Sequence, residues 1–183
     1  MQVVVTTQPE PLVTLDEAKV ALGESGAERN GLITSLILAA QSELDGPHGW
    51  VGISVALQSL EVTTDSFDDP AIRLPGGPIN GAVVVTYLDG DGAEQTLDDS
   101  TYIVAADGCL TLASGSSWPT LYGQSNSVVV AYDVGIEDEA DPRIAQMKTA
   151  IIMHVRMTLD MVDPEAHRRA IESLVRPMWV PVV

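Results

Sequence analysis

The sequence predicts an α+β fold: a small helical bundle, built from N-terminal and C-terminal helices, that carries an inserted antiparallel β-module. Apolar residues recur every three or four positions near both ends of the chain, and every second position in its middle. We expect residues 1–50 and 136–176 to form the helical core domain and residues 51–135 to form the β-module, a barrel or a sandwich. Residues 177–183 are predicted to form an extended apolar tail.

The N-terminal third predicts one short extended segment and two helices. The run from Val3 to Val5 is typical of an edge strand or of an arm, and the sequence leaves both open. Thr14 and Glu17 fit a capping box, which predicts a short helix ending before Gly23. The second helix is predicted from near Asn30 to about Asp45, because its apolar residues keep a 3.6-residue period and Gly-Pro follows.

The middle of the chain predicts a series of short strands separated by turns. Alternation begins at Val51 and continues to Val62, as in a half-buried strand. Asp89-Gly-Asp-Gly92 is a hairpin signal between two further strands. The other strands are predicted around residues 72–74, 83–87, 102–104, 109–112 and 128–132.

The stretch from Asp141 to Asp163 predicts the central helix of the bundle. Pro142 suits a first helical turn, and Asp141 before it is a plausible cap. Apolar residues cover far more of this helix than a single stripe, so it is expected to pack against several neighbours. A further helix is predicted from Pro164 to about Val175.

The net charge of the chain limits the classes of molecule that it is expected to bind. The chain has 26 acidic and 9 basic residues and a net charge of −17, which argues against a protein that grips nucleic acid. The distribution is uneven, because six of the nine basic residues follow Pro142. No apolar run is long enough to span a bilayer, and the first residues lack the pattern of a secretory signal.

No pattern in the sequence predicts a catalytic, metal or cofactor site. Asp89-Gly-Asp-Gly92 begins like a calcium loop, but Glu94 stands where that loop requires glycine. The three histidines lack the spacing of metal ligands, and we expect His154 to be partly buried with its hydrogen bonds satisfied. Cys109 is the one cysteine, which excludes an internal disulfide.

The C-terminal residues are unusually apolar for an end of a chain. After Arg176, two prolines exclude a helix and disfavour pairing as a central strand. The segment either folds back over its own bundle or docks into another subunit or a different protein, with Trp179 as the buried anchor.

Taken together, these segments resemble the head–tail connector proteins (adaptors, or head-completion proteins) of long-tailed bacteriophages and gene transfer agents. The resemblance extends over almost the whole chain. Trp50 departs from it, since the family often has arginine there. The segments that carry it are residues 13–22, residues 32–44 with Gly49, residues 72–75 with Pro78, residues 85–87 and 89–92, Tyr102, Trp118 with Pro119, residues 128–132 with Gly135, and residues 142–150.

The resemblance implies a structural protein of the virion head–tail junction, assembled in the host cytoplasm, with no enzymatic activity and no cofactor. It implies a ring, usually of twelve subunits, beneath the portal. Such a ring extends the channel through which DNA passes without specific binding, and it receives a stopper or tail-completion protein. No membrane partner is implied.

The resemblance also assigns roles to two groups of residues. The portal-binding tail would comprise Arg176, Pro177, Met178, Trp179, Val180, Val182 and Val183. Packing between subunits would use Ile152, Met153, Met157 and Met161. The alternative is a small monomeric binding module whose β-insert recognises a carbohydrate or a peptide, with Trp50 and Trp118 as stacking residues.

Overall fold

A computed structural model describes residues 1–67, 71–160 and 164–178, with Pro164 described by its backbone. The α+β class is confirmed, since α-helices and antiparallel strands are both present. The chain forms two compact units. The β unit comprises Met1–Gln8 and Leu57–Gly135, and the helical unit comprises Pro9–Ala56 and Ile136–Val183.

The helical unit is organised around its third helix, as the sequence predicts. This helix packs against each of the other three. It contributes Met147, Ala150, Ile151 and Val155 to the buried core, which confirms its central position. The helices in chain order are α1 (Leu15–Leu22), α2 (Asn30–Leu44), α3 (Pro142–Asp160) and α4 (Pro164–Val175), followed by a 3-10 turn at Arg176–Met178.

The capping box predicted for α1 is present. The Glu17 N–H donates to the Thr14 hydroxyl at 3.2 Å, and the Thr14 N–H donates to the Glu17 carboxylate at 2.8 Å. Gly23 ends the helix in the left-handed conformation, with a φ of 76°. The Glu17 carboxylate also accepts from Lys148 at 2.9 Å, which ties α1 to α3. These bonds, first the one from the Thr14 N–H and then the one from Lys148, lower the pKa of Glu17 to about 2.

The β unit consists of two antiparallel sheets. The five-stranded sheet has the order β1-β2-β8-β4-β5, and the three-stranded sheet has the order β3-β7-β6. The strands are β1 (Gln2–Thr7), β2 (Gln58–Thr64), β3 (Ala71–Arg73), β4 (Ile79–Leu88), β5 (Glu94–Thr96), β6 (Tyr102–Val104), β7 (Cys109–Leu112) and β8 (Val128–Val134).

Alternation along the central strands of the larger sheet builds the core of the β unit. Leu60 and Val62 of β2 face inwards beside Val130 and Tyr132 of β8, while their neighbours in sequence are more exposed. The Tyr132 hydroxyl donates to the Pro75 carbonyl at 2.9 Å, so this buried phenol has a partner.

The predicted hairpin at Asp89 is confirmed, because β4 and β5 pair across it. The Asp89 carboxylate accepts the N–H groups of Asp91 and Ala93, each at 3.0 Å. These bonds lie inside the turn and stabilise the hairpin.

The strand predicted to begin at Val51 is wrong. Residues 51–56 are turns and irregular backbone apart from a single isolated bridge at Ile53, and β2 begins at Gln58. Val51, Ile53 and Val55 are nevertheless buried in the core of the helical unit, which explains their alternation without a strand. Residues 51–56 therefore belong to the helical unit rather than to the β-module.

A buried carboxylate organises that loop. Asp45 follows α2, and its two oxygens accept the N–H of Val55 at 2.6 Å and the N–H of Ala56 at 3.1 Å. Burial raises the pKa of Asp45 to about 6, although the donated N–H groups favour its charged form. Gly49 is required here because a Cβ at that position would collide with the Asp45 carbonyl.

Residues 1–8 also differ from their expected place in the helical core. β1 pairs antiparallel with β2, for example at Val3 with Val62, and so belongs to the β unit. Of the two structures that the sequence left open for this segment, the edge strand is therefore correct.

Candidate assembly surfaces

The side chains of α3 that were expected to contact other subunits are partly covered within the single chain. Ile152, Met153 and Met157, which were expected to pack between subunits, are each half-buried. Ile152 and Met153 pack against the core of the helical unit. Met161, the fourth residue of that group, lies outside the described residues. The apolar surface that α3 leaves for another chain is therefore smaller than its sequence indicates.

Apolar side chains with a larger exposed fraction than those of α3 lie on α1 and α2. Val20 is 83% exposed, Leu32 52% and Leu38 49%, whereas no large apolar residue described on α3 is exposed to this degree. Thr34, Ser35, Ala39 and Ser42 are also exposed on α2, so the exposed side of this helix is nearly free of charge. In a chain of net charge −17, such a surface is a candidate contact with another protein.

The sequence contains little indication that these three apolar side chains are exposed. Val20, Leu32 and Leu38 each stand beside residues that continue the apolar period of their helix, so they resemble core positions. Which apolar side chains remain exposed depends on how many neighbours each helix has, and the sequence does not give that number.

The start of the predicted tail is anchored in the helical unit. Arg176 and Pro177 are exposed, whereas Met178 is 4% exposed and belongs to the helical core. Met178 thus folds back on its own chain, which was one of the two possibilities for the tail. Trp179, Val180, Val182 and Val183 lie outside the described residues.

A groove lies beside this anchor, between Trp50 and the second half of α4. It has a volume of about 380 Å³ and is lined by Trp50, Arg169, Glu172 and Arg176, among others. The Arg168 guanidinium lies 5.1 Å from the Trp50 ring centroid, within the range of a cation–π contact. This groove was not predicted from the sequence, in which the arginines at positions 168, 169 and 176 were the available signal.

The two tryptophans considered for ligand stacking both make contacts within the chain. Trp118 stacks on Phe67 with ring centroids 4.5 Å apart and an angle of 2° between the planes. Trp50 is half-buried beneath Arg168. These contacts give both side chains a packing role in the folded chain.

Several titratable side chains of the described residues form ion pairs within the chain. His154 is half-buried with Nε2 3.2 Å from the Glu43 carboxylate, which confirms a partly buried and satisfied histidine. The Asp141 carboxylate accepts from Arg143 at 2.7 Å, and that contact lowers the pKa of Asp141 to about 2.

Neither a metal cluster nor a membrane-spanning helix occurs among the described residues. Within residues 1–67, 71–160 and 164–178, no group of three or more His, Cys, Asp and Glu side chains is placed to hold a metal ion. Among the same residues, no helix combines the length and the apolar character needed to cross a bilayer.

Comparison with known proteins gives matches at the level of structure. No protein-family model matches the sequence, and the search of curated proteins finds no match. A chain of the "Neck of native GTA particle computed with C12 symmetry" matches with a TM-score of 0.70 at 12% sequence identity, covering 100% of this chain and 97% of that one.

Two further structures match over the same extent, 100% of this chain and 97% of theirs. They are the "Virion of native gene transfer agent (GTA) particle", with a TM-score of 0.68 at 14% identity, and the "Neck of empty GTA particle computed with C6 symmetry", with 0.67 at 12%. This chain therefore shares its fold with protein chains of gene transfer agent neck and virion structures.

Proposed function

We propose that this chain is a head–tail connector, an adaptor subunit in the neck of a phage virion or gene transfer agent particle. The observation that carries the proposal is the likeness of its fold, over its whole length, to chains of gene transfer agent neck structures. In this role the protein acts by binding other chains, without catalytic turnover.

A ring of twelve subunits is the proposed assembly. The two neck structures were computed with C12 and C6 symmetry, and this supports a ring for this chain too. Rings close through heterologous contacts, in which one face of a subunit meets a different face of the next. The exposed Val20, Leu32 and Leu38, together with Ile152, Met153 and Met157 of α3, supply apolar area for such contacts. We retain Met161 in this group on its sequence alone.

The charge of the chain suits the wall of a DNA channel. Exposed carboxylates occur on both units, and twelve copies of a chain with net charge −17 produce a strongly negative ring. Such a surface repels phosphate, so that DNA passes through the lumen without being held.

The C-terminal tail is the proposed portal-binding segment. Met178 fixes the start of the tail in the helical core, and Arg176 and Pro177 are exposed beside it. The five residues that follow, Trp179 to Val183, contain one tryptophan and three valines. A large aromatic residue with apolar neighbours is typical of the anchors that dominate binding energy at protein interfaces. A stopper or tail-completion protein is the proposed partner on the opposite face of the ring.

Deletion of residues 179–183 is expected to weaken binding to the portal protein of the same particle by about tenfold or more, because it removes the anchor. The deletion stops short of Met178 and leaves every buried residue of the described core in place, so we expect an unchanged thermal melting temperature. Binding is measured by co-purification and by titration of the truncated chain onto purified portal.

Met178→Ala is the matched control for this truncation. It removes a buried side chain next to the tail and is expected to cost about 2–5 kcal/mol of unfolding free energy while leaving Trp179 in place. Unchanged portal binding by the truncated chain would show that the tail is not the portal-binding segment. Absence of the protein from purified particles would refute the connector role itself.

A further inference from the structure

The groove beside Trp50 is a basic site in an acidic protein. Arg169 and Arg176 line it, Arg168 lies over the Trp50 ring, and Glu172 is the acidic side chain in its lining. Arg168 lies 3.9 Å from Glu172, and the Arg169 side chain donates to the Glu165 carbonyl at 3.3 Å.

Arg176 differs from most other basic residues of the chain in its hydrogen bonds and ion pairs. Arg29, Arg143 and Lys148 each lie within 2.9 Å of a carboxylate. Arg176 is exposed at the rim of the groove and makes no hydrogen bond or ion pair with another described residue. The groove therefore keeps a guanidinium available for an acidic group from outside the chain, next to the aromatic face of Trp50.

The same chain carries an acidic segment that is suited to such a site. Glu137, Asp138 and Glu139 are exposed in sequence before α3, and neither glutamate bonds to another described residue. The Asp138 carboxylate accepts the Ala140 N–H at 3.0 Å, and the backbone carbonyl of Asp138 accepts the Asp141 N–H at 2.9 Å. These two bonds hold the segment as a preformed turn, which lowers the entropy cost of binding.

We propose that the Trp50–Arg176 groove of one copy binds the Glu137–Glu139 turn of a second copy. The inference rests on the proposed ring and names a polar contact within it. Copies with a net charge of −17 repel one another, so assembly favours a place where opposite charges meet. The contact is heterologous: each subunit offers its groove to one neighbour and its acidic turn to the other.

A charge-swap experiment tests this contact. The groove variant is Arg169→Glu with Arg176→Glu, and the turn variant is Glu137→Lys with Glu139→Lys. In each variant alone the two surfaces carry the same sign, so self-association should weaken by about tenfold or more. An equimolar mixture restores opposite charges at every contact and should associate as alternating copies. Sedimentation velocity measures the mass of each variant and of the mixture.

Two controls separate the contact from general effects. Arg29→Glu with Arg73→Glu makes the same change in net charge at exposed positions outside the groove. Because its groove and its turn are intact, this control should self-associate like the wild type. Raising the salt from about 50 mM to about 500 mM should weaken association of the mixture, because exposed charges are then screened. Arg176→Glu mixed with Glu139→Lys is a milder pair to use if a double variant melts early.

The outcomes are decisive in both directions. A mixture heavier than either component supports the contact, and a mixture no heavier than its components overturns it. If the chain is found in particle necks while the mixture stays monomeric, the groove contact is refuted and the connector role stands. If the mixture associates but particles lack the chain, the contact stands and the connector role fails.

Discussion

Ile151→Ala is expected to lower the free energy of unfolding of the helical unit by about 2–5 kcal/mol. Ile151 is fully buried on α3, in the core that this helix forms with the other three helices. Truncation removes buried apolar area and leaves a cavity that the surrounding helices fill incompletely. Urea unfolding followed by helical circular dichroism measures the loss.

Ile152→Ala is the matched control, since it makes the same chemical change one position further along the helix. Ile152 is half-buried, so its truncation is expected to cost about 1 kcal/mol. If the outer side of α3 contacts a neighbouring subunit, Ile152→Ala should reduce assembly more than Ile151→Ala does at equal fractions of folded protein. Equal stability losses for the two variants would contradict the burial of α3 described above.

The sequence predicted the helices better than it predicted their exposed sides. α3 was expected from its wide apolar surface, and α1 from Thr14 and Glu17, because helix periodicity and capping are local properties. The exposure of Val20 and Leu38 could not be predicted in the same way. It depends on which helices lie nearby, and that is decided by contacts between segments far apart in the chain.

The loop before β2 shows a limit of periodicity as a signal. Val51, Ile53 and Val55 alternate as in a strand, yet they are buried by a loop whose backbone bonds to a carboxylate. A period of two indicates which side chains face inwards, but it does not distinguish a ladder partner from another hydrogen-bond acceptor. The acceptor in this case, Asp45, looked in the sequence like an ordinary residue at the end of a helix.

The candidate assembly surfaces were predictable only in part. The apolar tail was visible as composition, and Met178 shows that its first part belongs to the protomer core. The groove was not predicted, because Trp50 and Arg169 are separated by more than a hundred residues and meet only through folding. The sequence shows three arginines near its C-terminal end, but it does not indicate that Trp50 packs beside them.

The stability of the helical unit is expected to fall as the pH rises from about 4 to about 6, as a result of Asp45. Burial raises the pKa of this carboxyl from 3.8 to about 6, so in that interval the folded chain holds a proton that the unfolded chain has released. The associated stability is fully present below about pH 4 and is lost by about pH 6 to 7, with a total of about 3 kcal/mol.

Asp45→Asn isolates this effect, since asparagine is neutral at every pH and still accepts the Val55 N–H through its carbonyl oxygen. The difference in unfolding free energy, wild type minus variant, should therefore decrease between about pH 4 and about pH 6. Urea titrations of both proteins at a series of pH values measure it. Titratable groups that both proteins share contribute equally to the two unfolding free energies, so their contributions cancel in the difference.

Glu17→Gln provides a control of opposite sign. The hydrogen bonds from Thr14 and Lys148 lower the pKa of Glu17 from 4.5 to about 2, so its contribution is present above about pH 4.5 and is lost as the pH falls towards 2. The difference in unfolding free energy, wild type minus Glu17→Gln, should therefore increase with pH. This increase should occur at lower pH values than the change expected for Asp45. If the Asp45→Asn difference were flat or increased between pH 4 and 6, the N–H groups of Val55 and Ala56 would outweigh burial, and Asp45 would be charged throughout that interval.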